Sequence, residues 1–347
     1  MPFVSVIIPA FNGADFIREA MESVLSQSFS DFELIVVDDA STDSTPEILA
    51  DFELADRRIR LLKNEKNLGV TRSLNVGLHA ATGKYVARLD ADDVCLPNRL
   101  ERQVEFLENH PDHEAVACGY RLIDANGRTI RVSNRTLDDW QIRWVNGFYP
   151  PAAAPTYFFR RVKRNGDRHF YDESFPTAED FAFWSTLSAH GKMHLFGEPL
   201  VKYRRHANAN TALQRLEQVK YSRVTSLGNL NARLPAPLVE GLEPLLQMFT
   251  YQRKADPDMI RAAVAGCDAL LQHDLDSAPT SGHRSWLRRM TASLLADACL
   301  TRGEGIRGYS TVQAFLLHGR RHLPYLVSEV ARQPRLALKS LKGIAKT

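Results

Sequence analysis

The first 120 residues alternate between short apolar runs and amphipathic stretches, and this alternation restricts the fold more than any other feature. The apolar runs at residues 4–8, 33–37 and 85–89 are rich in β-branched and aliphatic side chains, as buried strands are. Residues 14–27 instead place their apolar side chains at helical spacing. Strands that alternate with helices predict a doubly wound, mostly parallel α/β sheet with right-handed crossovers and helices on both faces.

The rest of the chain completes two predicted domains. Further strands are predicted at residues 59–62, 115–117 and 156–160, and further helices at 70–81 and 137–146 and from Ser44, Pro97 and Glu179. From about residue 211 the pattern is helical, with breaks at points such as Pro235 and Pro257. Because 347 residues suit two domains, we expect an α/β domain over residues 1–210 and a helical C-terminal extension over 211–347.

Composition excludes several classes of protein. The net charge of +3 gives no reason to expect a nucleic-acid partner. The sequence has no run of 18 apolar residues, so we predict no transmembrane helix. Its four cysteines lack C-x-x-C spacing, which argues against a zinc site or a disulfide framework and for a reducing compartment. We therefore expect a cytoplasmic protein.

The sequence Asp90-Ala91-Asp92-Asp93, at the end of the fourth predicted strand, carries the strongest chemical signal. Carboxylates this close repel one another unless a cation lies among them, and Mg2+ and Mn2+ prefer oxygen ligands. A divalent ion at this point would neutralise a diphosphate leaving group. The simpler alternative is a polar turn that caps the helix from Pro97.

The ends of the first two strands carry further signals. Asp38 and Asp39 follow the second strand, where an Asp can accept hydrogen bonds from a base or ribose, although such a pair also suits a loop before a capped helix. Residues 9–13 follow the first strand and contain neither G-x-G-x-x-G nor a P-loop, which argues against dinucleotide oxidoreductases and P-loop kinases. Because ligands of a doubly wound sheet bind beyond the carboxyl ends of its strands, we expect these strand ends to form one site.

Two later segments are candidates for catalysis. Glu179 and Asp180 stand at a predicted helix start before aromatic residues, and apolar surroundings can raise a carboxylate pKa to a value useful for a general base. An acidic first turn that interacts with the helix dipole is an equal alternative. The sequence YRRH at 203–206 offers cations for a diphosphate and a metal-ligating His, or forms a solvated basic loop. Arg72 and Arg88 are similar candidates for the diphosphate.

In this order, these segments resemble the family 2 glycosyltransferases with the GT-A fold, which is Rossmann-like. The matching segments cover about the first 210 residues: VSVIIPAFN (4–12), SVLSQ (23–27), VVDDASTD (36–43), NLG (67–69), SLNVG (73–77), GKYVARLDADD (83–93) and ED before Trp184 (179–180). Each segment alone is a weak signal, whereas the combination is specific. The resemblance implies an inverting transfer of a sugar from a nucleoside diphosphate sugar.

The resemblance also implies a role for each matching residue. Together with Arg72 and Arg88, which were chosen above for their charge, the matching residues give the set expected to bind the nucleotide sugar: Pro9, Ala10, Phe11, Asn12, Asp39, Arg72, Arg88, Asp90, Ala91, Asp92, Arg204 and Arg205. The residues expected to hold Mn2+ or Mg2+ are Asp90, Asp92, Asp93 and His206. Asp180 would deprotonate the acceptor hydroxyl, and Glu179 would orient Asp180 or the acceptor.

UDP is the commonest nucleoside diphosphate among the donors of this family, so a UDP-sugar is the expected donor, with dTDP-sugars and GDP-sugars as alternatives. The expected acceptor is a glycan or lipid-linked hydroxyl in cell-surface polysaccharide assembly. The processive synthases of the family carry transmembrane helices and a Q-x-x-R-W motif, and neither occurs in this sequence, which favours a single transfer. Two other functions stay open: a sugar nucleotidyltransferase, which usually needs a Gly-rich basic loop after the first strand, and a non-catalytic sugar-nucleotide-binding module.

The last fifth of the chain is basic. From Ser281 onward it has twelve Lys and Arg against three Asp and Glu, a surplus of nine. Basic helices of this kind predict either peripheral contact with the inner face of a membrane, a packed extension or an oligomer contact.

Overall fold

The structure, a computed structural model, describes residues 1–206, 215–249, 257–296 and 322. Its strands are β1 (Val4–Ala10), β2 (Phe32–Asp38), β3 (Ile59–Lys63), β4 (Tyr85–Arg88), β5 (Val94–Cys95), β6 (His113–Ile123), β7 (Thr129–Ser133), β8 (Phe158–Arg160) and β9 (Lys192–Arg204). Its helices are α1 (Ile17–Leu25), α2 (Thr45–Ala55), α3 (Val70–Ala80), α4 (Arg99–Asn109), α5 (Asp139–Val145), α6 (Glu179–His190), α7 (Arg215–Asn231), α8 (Ala236–Phe249), α9 (Pro257–Ser277) and α10 (Ser281–Ala296).

The described strands form one mixed sheet in the order β3-β2-β1-β4-β8-β6-β9-β5, with β7 paired to β6. Strands β3, β2, β1 and β4 are parallel, and β8 interrupts the direction because it pairs antiparallel with both β4 and β6. The predicted fold class is therefore confirmed, although the pattern did not indicate the antiparallel strands. The chain runs outward from β1 to β3 and then returns to β4 on the other side of β1. The switch point of the sheet, where ligands of such folds bind, thus lies between β1 and β4.

Helices cover both faces of the sheet. On one face, Val6 and Ile8 of β1 belong to a buried apolar cluster with Met21 of α1 and Leu100 of α4. On the other face, α3 packs so tightly that a Cβ on its Gly77 would lie 2.5 Å from Ile7 Cγ2. Each fully buried aliphatic side chain contributes about 1.5–3 kcal/mol to folding, so this layered packing fixes the strand ends in space.

The chain divides into two compact units, residues 1–226 and 227–347. The boundary predicted at 210/211 lies outside the described residues and stays a prediction. The second unit is helical where it is described, as expected. Its helices α8 and α9 cross closely, because a Cβ on Gly266 would overlap the backbone oxygen of Gly241. In the described part of the chain, no helix is both long and apolar enough to span a membrane.

Candidate active site

Hydrogen bonds tie the loop after β1 to the loop after β2. Asn12 Oδ1 accepts from Thr42 N at 2.8 Å, and Asn12 N donates to Ser41 Oγ at 3.0 Å. The backbone of Asp39 joins in, since its N–H donates to the Ala10 oxygen at 2.8 Å. The predicted donor loop at residues 9–12 is therefore fixed against the segment that carries Asp39.

Asp39 is a buried carboxylate that organises the loop after β3. One oxygen accepts from Asn64 Nδ2 at 2.7 Å and from Leu68 N at 2.8 Å. The other accepts from Gly69 N at 2.9 Å, at a residue whose φ of +85° suits glycine. Both oxygens are thus engaged within the protein. The predicted contact of Asp39 with a base stays a prediction, and the structure gives this residue the task of shaping the loop at 64–69.

A cleft of about 490 Å³ opens beside this loop. It is lined by Ala40, Ser41, Lys63, Asn64 and Glu65. The volume lies within the range of small-molecule sites, and the lining offers both hydrogen-bond donors and acceptors. Phe11, in the β1 loop, is 49% exposed, and an aromatic ring left exposed provides a face on which a planar base can stack.

The acidic loop after β4 sends two carboxylates to different partners. Asp90 Oδ1 accepts from Arg88 Nε at 2.9 Å, whereas Asp92 Oδ2 lies 2.8 Å from His206 Nε2. Burial raises the pKa of Asp92, and the nearby charge of Asp90 raises it further. A cation beside Asp92 would offset both effects.

Asp93 and Arg204 hold the acidic loop against β9. Asp93 is fully buried, and its Oδ1 accepts from Arg204 N at 2.7 Å. Burial raises the pKa of Asp93 well above its ordinary value. The Arg204 side chain donates to the backbone oxygens of Asp92 and Ala125 at 2.8 and 3.2 Å and pairs with Glu19 at 2.5 Å. These contacts give both residues a structural task, and their predicted roles as ligands stay predictions.

Among the described residues, the side chains of two predicted arginines form no bond to this loop. Arg72 Nε donates to Glu173 Oε2 at 3.1 Å, and its side chain is 56% exposed. Arg205 is exposed, and its backbone N–H donates to the Ile123 oxygen at 2.9 Å. Among the described contacts, neither guanidinium meets an Asp of the acidic loop.

Arg88 joins the acidic loop to the start of α6. While its Nε donates to Asp90, its Nη1 donates to Glu179 Oε1 at 3.1 Å. Arg88 and Glu179 are 91 residues apart in the chain, and both are almost completely buried. Removal of one partner of such a pair leaves an uncompensated buried charge. The two segments predicted for donor binding and for catalysis thus meet at one guanidinium.

The first two residues of α6 are carboxylates with raised pKa values. Burial raises the pKa of Glu179 to about 7, with the Arg88 charge acting in the opposite direction. Burial likewise raises the pKa of Asp180, whose Oδ1 accepts from Phe181 N at 2.8 Å. A carboxylate with a raised pKa accepts a proton more readily at neutral pH, which is what a general base requires.

Residues with strained backbone conformations lie in or beside the predicted site segments. In the described part of the chain, the non-glycine residues with positive φ are Asn12 (49°), Ala40 (59°) and Ala178 (55°). Each lies in or directly beside a predicted site segment. Such conformations cost about 1–3 kcal/mol each and often mark functional sites, since the fold must hold them in place.

The sequence analysis missed the segment at 171–175, which holds the start of α6 near α3. Asn75 Nδ2 donates to the Tyr171 oxygen at 3.0 Å, and Tyr171 N donates to Asn75 Oδ1 at 2.8 Å. Thr71 Oγ1 donates to the Phe175 oxygen at 2.8 Å. Thr71 and Asn75 are polar residues on the buried face of an amphipathic helix, and this unusual placement was the available signal that a partner segment exists.

The described residues supply only part of the set of ligands that a metal ion needs. Among the described residues, no group of three His, Cys, Asp or Glu side chains is arranged to hold a metal ion. Asp92 and His206 nevertheless present an oxygen and a nitrogen 2.8 Å apart. This pair fits a divalent ion that takes its remaining ligands from substrate phosphates and water, as Mg2+ commonly does.

Comparison with known proteins identifies the family. Residues 5–179, half of the chain, match the model of glycosyl transferase family 2, and the chain belongs to this family of transferases. An uncharacterised glycosyltransferase of Haemophilus influenzae is 34% identical over 226 residues, which cover 62% of this chain and 70% of that protein. A putative teichuronic acid biosynthesis glycosyltransferase of Bacillus subtilis, TuaG, is 45% identical over 106 residues, or 30% of this chain and 42% of that protein.

Solved structures agree on the fold. Residues 1–349 of Staphylococcus aureus TarS, in complex with UDP, superpose with a TM-score of 0.55 at 21% identity, over 86% of this chain and 89% of that one. The mannosyltransferase PcManGT of Pyrobaculum calidifontis, in complex with GDP-Man and Mn2+, superposes with a TM-score of 0.51 at 21% identity, over 87% of each chain. Both are similar to this chain in fold, which confirms the predicted GT-A architecture.

Proposed function

We propose that this transferase moves a sugar from a UDP-sugar to a hydroxyl of a glycan or lipid-linked acceptor, with inversion at the anomeric carbon, in cell-surface polysaccharide assembly. The observation that carries the proposal is the Arg88 bridge, which joins Asp90 of the acidic loop to Glu179 beside Asp180. The likeness to TuaG supports the polysaccharide assignment, and the UDP complex of TarS supports the choice of donor.

The nucleoside occupies the cleft beside the loop at 64–69. Phe11 stacks on the base, and Asn12 and Asp39 keep the two flanking loops in position through the bonds described above. The diphosphate then extends from the cleft toward the acidic loop at the end of β4. The order of these parts along the sheet edge supports this direction, because β1 lies between β2 and β4.

Asp92 and His206 would hold a divalent ion at the diphosphate. Mn2+ or Mg2+ at this position would neutralise charge on the leaving group. The chain's own contribution is to aim the two ligands: His206 ends the basic segment that Arg204 anchors to Asp93. Arg205, which is exposed beside His206, supplies a further positive charge near the same group.

Asp180 takes the proton from the acceptor hydroxyl. The hydroxyl oxygen attacks the anomeric carbon, and the nucleoside diphosphate departs on the opposite side. Glu179 cannot serve as freely, since it is buried in the ion pair with Arg88. It positions Asp180 instead, at a helix start that the left-handed conformation of Ala178 sets. A positioned base contributes about 10²–10⁴-fold to the rate.

Calorimetric titration of UDP, dTDP and GDP, with and without Mn2+, tests the donor assignment. We expect metal-dependent binding of UDP that Asp92→Ala abolishes. Asp172→Ala is a matched control, because it removes an exposed carboxylate that only accepts a bond from Ser174 N. Tight binding of GDP or dTDP alone would overturn the choice of base, and metal-independent binding would overturn the role of Asp92.

A further inference from the structure

The β6–β7 hairpin carries a surface that the proposed reaction does not use. Four exposed residues define this hairpin surface: Arg121 and Val132, which lie opposite each other across the two strands, with Ile130 and Arg128. Ile130 and Val132 are 48% and 47% exposed, on a strand that pairs only with β6 among the described strands. Exposed aliphatic side chains on an edge strand present a surface that another molecule can cover.

The charges of the hairpin surface lack acidic partners. Among the described residues, neither of its two arginines forms an ion pair, and Arg131, on the opposite face of β7, donates to the Tyr120 hydroxyl at 3.1 Å. Asp124 is the single acid between residues 119 and 135. Its Oδ1 already accepts two backbone N–H groups of the turn, from Asn126 and Arg128, both at 2.9 Å.

The turn of the hairpin is closed by backbone bonds and is attached to the candidate site. Gly127 has a φ of +79°, which suits glycine, and Asp124 N donates to the Arg128 oxygen at 3.0 Å. On its inner side, the Ala125 oxygen accepts from Arg204 Nη1 at 3.2 Å. Arg204 in turn binds the acidic loop, and a partner on the hairpin would therefore lie close to the donor site.

We propose that the hairpin surface docks the protein on anionic lipid headgroups. Unpaired arginines complement a negative bilayer surface, and aliphatic side chains between them can enter the boundary with the acyl chains. Aliphatic side chains give bases no ring to stack on, which disfavours single-stranded nucleic acid as the partner. With respect to a lipid-linked acceptor the inference rests on the proposed function, because docking would bring the donor site to the surface where such an acceptor lies.

Sedimentation with vesicles tests the docking surface. The full-length protein is mixed with vesicles of phosphatidylcholine alone or of phosphatidylcholine with phosphatidylglycerol. We expect binding only to the anionic vesicles, and a loss of about tenfold or more in the partition coefficient for Arg121→Glu/Arg128→Glu. The control is Arg57→Glu/Arg60→Glu, which changes the net charge equally at two exposed arginines outside the hairpin.

A second pair of variants separates apolar contact from charge alone. Ile130→Ser/Val132→Ser should weaken binding to anionic vesicles, whereas Leu54→Ser, which changes an 89% exposed leucine elsewhere, should not. Equal binding to both kinds of vesicle, or equal losses in the hairpin and control variants, would overturn the proposal. A change of oligomeric state in the hairpin variants, with no lipid preference in the wild type, would instead make the hairpin a contact between two copies of the chain.

UDP titration of the same variants keeps the two proposals distinct. The hairpin residues do not touch the donor cleft, so each variant should bind UDP as the wild type does. Failure of lipid binding with normal UDP binding refutes only the docking surface. Failure of UDP binding in the wild type, with lipid binding that depends on the hairpin, refutes only the proposed donor.

Discussion

The two sides of the candidate site are held by different kinds of contact. The proposed donor side, which comprises the loops at 10–13, 39–44 and 64–69, is joined by bonds between residues about 25–30 positions apart, such as Asp39 to Asn64. The proposed acceptor side, residues 171–180, depends on bonds that span about 100 positions, from Thr71 to Phe175 and from Arg88 to Glu179. The donor side therefore follows from the local βα units, whereas the acceptor side forms only when distant parts of the α/β domain pack.

The largest expected effect separates the two sides by function. Asp180→Asn should lower sugar transfer, or donor hydrolysis where the acceptor is unknown, by at least about a hundredfold, because an amide cannot take the proton. UDP affinity should stay unchanged. Asp172→Asn, in the same segment but exposed, serves as the control and should transfer normally. Normal turnover by the Asp180 variant would remove it as the base.

The pH dependence of stability tests the buried carboxylate of the acceptor side. Since the folded pKa of Glu179 is raised to about 7 from 4.5, the folded state holds a proton between these values that the unfolded state releases. Stability should therefore fall as pH rises through this window, by up to about 1.4 kcal/mol per pH unit. Glu179→Gln should flatten this slope in urea unfolding, and Glu173→Gln, at an exposed position, should not. An unchanged slope in Glu179→Gln would contradict the assignment.

On the donor side, Asp39→Asn should destabilise the protein by about 2 kcal/mol. The amide nitrogen would face backbone N–H groups that now donate to a carboxylate oxygen, and unsatisfied buried donors cost about 1–3 kcal/mol. Urea unfolding gives the free energy, and calorimetry should show weaker UDP binding. Asp38→Asn is the comparison, because Asp38 accepts a single bond from Ser41 N. Equal losses of stability and of UDP affinity in both variants would show that Asp39 contributes no more to the loop than Asp38 does.

The smallest effect concerns the bond between α3 and the acceptor side. Thr71→Val keeps the shape of the side chain but removes the donor to the Phe175 oxygen, which should cost about 1 kcal/mol of stability. Transfer should fall severalfold with little change in UDP binding. Thr186→Val is the control, since that hydroxyl bonds only within its own helix. A loss of UDP affinity in Thr71→Val would show that the two sides are not separable.

The difference between local and long-range contacts also explains which parts of the fold and of the candidate site could be predicted from the sequence. Strands β1, β2 and β4 and the acidic ends of β2 and β4 were predicted because apolar periodicity and the residues that follow each run are local features. The strand at β8 was predicted at residues 156–160, but its antiparallel direction was not predicted and the 171–175 segment was missed, since both depend on pairing with strands and helices far away in sequence. Asp93 shows a further limit: a cluster of carboxylates predicts a cation, but only the fold reveals that this one is buried against Arg204 N.

The hydrogen bonds of Asp39 affect the rates at which the proposed sugar nucleotide would bind and dissociate. A loop that becomes ordered only on binding gives up about 1–2 kcal/mol of conformational entropy per residue, which weakens the complex and slows its formation. Here three bonds to one carboxylate order residues 64–69 during folding. In the proposed reaction, this loop therefore need not reorganise when a sugar nucleotide binds or when the product leaves.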